Sequence, residues 1–229
     1  MKWIKKNYVF CIISAIVAFG FILRVYSLNG DMWIDETISS LASKNIIEKG
    51  FPIFDSGAFY SRALIFHYLG ALSMSIFGDI GLRFISVLFG LATIILAYFI
   101  GKEYNKTTGI VSAVLTAVFF LEIVYSRQAR FYQMFQFLFF LTIYLLYKTK
   151  YDKKYSYVAG IVFLILVDTH LAGIILFPFF LYGFYQQKDW KIVIIPLITA
   201  LVYSPQILNI VYGNEAIASA NLERYSYQL

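Results

Sequence analysis

ALIFHYLGALSMSIF, residues Ala63–Phe77, is apolar throughout except for His67 and a few hydroxyls. Its 15 residues fall short of the ~20 an α-helix needs to cross a bilayer. Counted as a span, it inverts every loop that follows and puts their lysines outside the cell. Set aside as a re-entrant or surface-lying helix, it leaves a consistent topology. The first apolar run, Tyr8–Tyr26, follows Lys2, Lys5 and Lys6. It is longer than a signal-peptide core and lacks a small-residue cleavage site, so it predicts a retained anchor with a cytoplasmic N-terminus. Further runs lie at about 80–101, 108–126, 131–148, 156–169, 171–187 and 191–211, which makes seven spans. Gly101–Thr108, Tyr147–Tyr155 and Gln186–Lys191 then face the cytoplasm and carry Lys but no Arg, as the positive-inside rule requires.

The region 29–82 becomes one external loop. Within it Asp31–Lys49, with Trp33, Ile34, Ile38, Leu41 and Ile46 among polar residues, predicts an amphipathic interfacial helix. Composition agrees with a membrane protein. With 60% hydrophobic and 14% charged residues and a mean hydropathy of +0.72, an ordinary soluble domain is excluded. The net charge of +6 comes mainly from Lys in short loops, a topology signal and not a nucleic-acid one. The one cysteine, Cys11, rules out a disulfide framework and a cysteine metal site. The chain thus predicts one all-α polytopic module over 1–229, in the cytoplasmic membrane, with no internal repeat.

Arg24, Arg62, Arg83, Arg127, Arg130 and Arg224 all fall on the extracytoplasmic side, with the acid pair Asp35–Glu36. Arginine binds phosphate oxygens through a planar fork that lysine lacks, so this sorting suits a lipid-linked phosphate. A carboxylate at the membrane surface can take a proton from an attacking hydroxyl, although an acid pair near a helix N-terminus also needs no function. Arg127 and Arg130, three apart, would share a face if helical and could clamp one phosphate; the alternative is two arginines reaching lipid headgroups. Glu122 lies about a turn inside the third span, where an ionisable group is costly. Asp168-Thr169-His170 occupies the next external turn, where His170 could meet a phosphate or simply end a helix. His67 reads as interfacial. Two distant histidines with no Cys beside them argue against a dedicated zinc site, while the acids leave Mg²⁺ or Mn²⁺ open.

These residues carry a family resemblance. Trp-x-Asp-Glu after the first span (Trp33–Glu36), Arg-x-x-Ser opening the second (Arg83–Ser86), Tyr-Ser-Arg-x-Ala-Arg-x-Tyr before the fourth (Tyr125–Tyr132) and Thr-His before the sixth (Thr169–His170) resemble, in that order, the GT-C membrane glycosyltransferases. The nearest branch contains the protein O-mannosyltransferases and the aminoarabinose transferase of lipid A, and the likeness covers about residues 20–210. It implies an inverting transferase that takes a sugar from a polyprenyl-phosphate donor on the extracytoplasmic face. By resemblance Asp35 is the catalytic base with Glu36 beside it. Arg83, Arg127, Arg130 and His170 surround the donor phosphate, and Tyr132 stands near the substrate. The family often has an acid where this chain has Gln128, and Glu122 is the acid that could replace it. Relatives usually have more spans, so the chain corresponds to a fragment or minimal form. The acceptor, whether glycan, lipid or protein, is left open. The alternative is a non-catalytic lipid-phosphate-binding, transport or assembly protein of the same fold.

Overall fold

A computed structural model describes residues 7–212; Lys2, Lys5, Lys6, Arg224 and the side chains of Lys191 and Pro205 lie outside the described part. The fold is all-helical: α1 (Tyr8–Val25), α2 (Ile34–Lys49), α3 (Leu64–Phe77), α4 (Ile80–Lys102), α5 (Lys106–Val118), α6 (Phe120–Ser126), α7 (Tyr132–Lys148), α8 (Lys154–Thr169), a 3-10 turn (Leu171–Leu176), α9 (Phe177–Gln187) and α10 (Lys191–Tyr212). Each expected apolar run is helical. By length and apolarity α1 and α4 can cross a membrane, and α5 with α6 makes a third crossing if that pair, bent by 59°, is one broken span. The seven expected crossings are therefore met in part.

α4 is the hub, packing on α1, α3, α5, α6 and α7. One core cluster joins α3, α4 and α7 to α10 through Phe66, Leu82, Met134, Phe163, Leu166, Phe180 and Ile192; a smaller one joins α1, α4 and α5 through Ile94, Tyr98, Ala113 and Ala117. Small residues let α4 and α5 touch closely: a Cβ on Gly101 would stand 2.8 Å from the Thr108 carbonyl, and one on Gly109 2.8 Å from that of Tyr98. Outward faces such as Leu115, Phe140, Ile161 and Leu181 remain apolar and exposed, as lipid contact requires.

The two ends of the bundle differ chemically. Lys148 Nζ meets Glu103 at 2.6 Å, and Gln187 donates to the Thr149 hydroxyl at 2.8 Å, so the Lys-bearing loops gather at one end. α3 belongs wholly to the other end. Its Ala63 amide donates to the Asp168 carbonyl at 3.1 Å, and the Ile65 amide to the Asp168 carboxylate at 3.2 Å, so its start is capped by the finish of α8. Only two residues separate Phe77 from the start of α4. Both termini of α3 therefore meet helix ends on the same side, and at 14 residues it is about 21 Å long.

α2 corrects one expectation. Ile34, Ile38 and Leu41 form an exposed stripe, but Ile46 is buried, together with Glu36, Ser39, Ser40, Ala42 and Ser43. The helix turns its small polar face inward onto α3 and its apolar stripe outward.

Candidate functional site

The site is assembled where the start of α2, the start of α4 and the turn from α6 to α7 meet. Asp35 and Glu36 occupy the first turn of α2, and the chain gives them opposite environments. Glu36 is buried and all its acceptor positions are used. Oε1 accepts from Arg83 Nε at 2.9 Å and the Ala129 amide at 2.6 Å; Oε2 accepts from Arg83 Nη2 at 2.8 Å and the Trp33 amide at 3.4 Å. Burial pushes this carboxyl upward, but the Arg83 fork and the Ala129 amide outweigh it and hold Glu36 below its ordinary value.

Arg83 is equally occupied. Its remaining N–H groups donate to the carbonyls of Leu28 and Gly30, both at 2.6 Å, and of Asp31 at 2.9 Å. With two donors on Glu36, all five are used, and none is left for a phosphate. The pair therefore clasps three segments far apart in sequence: the loop after α1, α4 and the α6–α7 turn.

Asp35 is different. Its side chain is 36% exposed, and the nearest cation is Arg130 Nη2 at 3.8 Å. Arg130 Nη1 donates to the Asp35 carbonyl and the Ser39 hydroxyl, both at 3.0 Å, and its guanidinium lies 4.9 Å and 5.4 Å from the ring centres of Phe131 and Tyr132. Arg130 Nε is buried without a partner.

Arg127 points elsewhere. It donates to the Ser27 carbonyl at 3.0 Å and lines a cavity of about 310 Å³ with Gln128, Trp33, Val124, Glu36 and Arg83. The shared helical face expected for Arg127 and Arg130 does not form, because 127–131 is a turn. The Glu36–Ala129 bond pins that turn midway, and the two guanidiniums reach different partners, Arg127 the Ser27 carbonyl and Arg130 Asp35 and Ser39.

His170 sits beside this turn, its ring centre 5.5 Å from that of Phe135 and 6.1 Å from that of Phe131. Its Nδ1 accepts from the Ala172 amide at 3.1 Å, which leaves the proton on Nε2. Burial and the nearby Arg62 charge lower its pKa, so it is a neutral N–H donor. Glu122 is not brought to the cavity. It accepts from Gln133 at 3.2 Å and from Gln136, on the α7 side of α6. Among the described residues no three His, Cys, Asp or Glu side chains converge as a metal site needs. Glu36 is engaged and Glu122 is turned away, so neither joins Asp35 in a set of oxygen ligands.

Sequence reasoning counted Arg24 among the external arginines, whereas it is buried against backbone carbonyls, and it missed Ser39 and the depth of His67. His67 is wholly buried and held neutral, its pKa lowered to about 3 by burial and by Arg130. The third position of Glu36 in its helix, from which a Glu can reach back to the preceding amide, was a usable signal for its structural engagement. A larger apolar groove of about 750 Å³ runs between α1 and α4 toward Lys102 and holds none of the candidate residues.

The sequence profile described as dolichyl-phosphate-mannose-protein mannosyltransferase matches residues 61–209, more than half of the chain. No curated protein matches it significantly. The fold is similar to that of the Archaeoglobus fulgidus oligosaccharyltransferase, solved with a tethered acceptor peptide. The TM-score is 0.61 at 18% identity, over 80% of this chain and 26% of that one.

Proposed function

Since the chain belongs to the dolichyl-phosphate-mannose-protein mannosyltransferase family, and so to the GT-C group that its motifs resemble, we propose that it moves a sugar from a polyprenyl-phosphate donor to an extracytoplasmic acceptor with inversion. The observation that carries this is the unequal treatment of two adjacent acids. Glu36 is saturated by hydrogen bonds, while Asp35 stays partly open beside Arg130. An acid with free lone pairs can accept the acceptor's proton; a saturated one cannot.

In this proposal Asp35 is the base. Arg127 holds the donor phosphate at the cavity, with His170 as a neutral donor at its edge, and the charge growing on the departing phosphate is met by these groups and by Arg130. Tyr132 and Gln128 contact the sugar or phosphate. Glu36 and Arg83 are the frame and not the chemistry. Apolar flanks take the polyprenyl chain, each buried CH₂ contributing ~0.8 kcal/mol. The gathering of Lys loops at one end supports a cytoplasmic N-terminus with the site on the opposite face.

Asp35→Asn tests it. The variant keeps shape and removes the base, so release of free polyprenyl phosphate from a lipid-linked sugar should fall ~10²–10⁴-fold with binding intact. Turnover equal to wild type would remove Asp35 from the role. Donor binding by wild type without turnover, in the presence of any downstream part of the chain, would favour a binding protein.

A further inference from the structure

Arg24 lies near the end of α1, fully buried, and its guanidinium enters the break between α5 and α6. Nη1 donates to the Ala117 carbonyl at 3.0 Å and Nη2 to the Thr116 carbonyl at 3.1 Å; Nη1 also reaches the Gly20 carbonyl of its own helix at 3.1 Å. Thr116 and Ala117 are the last turn of α5. In a continuous helix their carbonyls would accept from the amides of Phe120 and Leu121. At Phe119 the backbone is extended, and the helix restarts with the Ile123 amide on the Phe119 carbonyl at 3.1 Å. From Ile110 to Ser126 the sequence holds neither Pro nor Gly, so those causes of a kink are missing at the break. Thr116 bonds back to the Ser112 carbonyl at 2.9 Å, which bends a helix only gently, and the inserted Arg24 side chain takes the freed carbonyls.

The surroundings make room for it. A Cβ on Gly90 of α4 would stand 2.9 Å from Arg24 Nε and 2.6 Å from Ser126 Cβ, and one on Gly20 3.2 Å from Arg24 Nη1. Ser126 is the last residue of α6 and leads directly into Arg127. On the far side Glu122, within electrostatic reach of Arg24, is strapped to α7 by Gln133 and Gln136.

We infer that Arg24 is a positioning residue: by capping the broken end of α5 from α1 it sets the bend that carries Arg127 to the cavity. This rests on the proposed donor site, but the bend can be measured without it. Spin labels at Tyr104→Cys and Tyr125→Cys, in a Cys11→Ser background, report the distance along the bent pair. In Arg24→Lys the charge remains, but a single nitrogen replaces the two that bridge the carbonyls. The distance should lengthen by roughly 3 Å, toward that of a straight helix at 1.5 Å per residue. The affinity for dolichyl monophosphate in nanodiscs should fall about tenfold, as expected for a misplaced charge-assisted contact. Gly90→Ala should produce the same shift by crowding Ser126, without removing any polar group. It also serves if Arg24→Lys does not fold. An unchanged distance in the folded variants, or weaker binding without a distance change, overturns the inference. A wild type that ignores dolichyl monophosphate overturns the donor reading instead, and the distances still decide the role of Arg24.

Discussion

Glu36 and Asp35 are one residue apart, and their substitutions should separate into two phenotypes. Glu36→Gln leaves Arg83 buried with no carboxylate countercharge, a change that costs about 3 kcal/mol or more when a buried pair is broken. A thermal melt should show this loss before any assay of transfer. Asp35→Asn should melt like wild type. The pH dependence has a definite sign. The Glu36 carboxyl is held below its ordinary value of 4.5, so its stabilisation is fully present above that pH and is lost as pH falls toward the depressed value. Acid melts of wild type should therefore steepen below about pH 4.5, and those of Glu36→Gln should not. Arginines divide the same way. Arg127→Lys should weaken polyprenyl-phosphate binding by roughly 1.5–3 kcal/mol with little change in melting, because most of its fork faces the cavity. Arg83→Lys should do the reverse, since its five donors are all spent inside the fold. Nothing in the local sequence separates these two arginines; what each one meets is set by chain 47 or more residues away.

Among the elements, apolar runs were legible because hydrophobic length is a local property. Leu64–Phe77 is a short apolar helix of 14 residues, as the length of the run predicts, and its start is capped by Asp168. Its close fit on α4 predicts a sensitive position. A Cβ on Gly81 would stand 2.5 Å from the Ser73 backbone, and backbone cannot step aside as a side chain can. Gly81→Ala should cost about 1–3 kcal/mol or force the two helices apart, readable as a lower melting temperature. The break at Phe119 was illegible. It depends on Arg24, more than 90 residues earlier, and leaves no Pro or Gly to mark it. The helical pairing of Arg127 with Arg130 failed for a related reason: the Ala129 amide is drawn to Glu36 and so cannot continue a helix through the turn. For α2, apolar patterning alone misleads, because serines pack well against close neighbours. The inward face is the one built from Ser39, Ala42 and Ser43.

For the molecule as a whole, the division into a Lys end and an Arg end gives a direct test of orientation. In a Cys11→Ser background, Lys106→Cys and Lys150→Cys should be shielded from an impermeant thiol reagent in intact cells, whereas Ser56→Cys should react. Labelling of Lys106→Cys from outside would reverse the sidedness proposed for the site. The clasp also bears on how such a chain can be made. Its last component, the Ala129 amide, is 93 residues beyond Glu36. Membrane chains are delivered from the N-terminus onward. While the ribosome is still completing α6, the segment 29–82 has Arg83 available but not the turn that closes over it. It should be open to protease in nascent chains stalled near residue 126 and protected once the turn and the start of α7 have emerged. Assembly of the site is thereby made a timed event in synthesis, and slowing translation just before Ala129 would prolong the interval in which the outer face is unfinished.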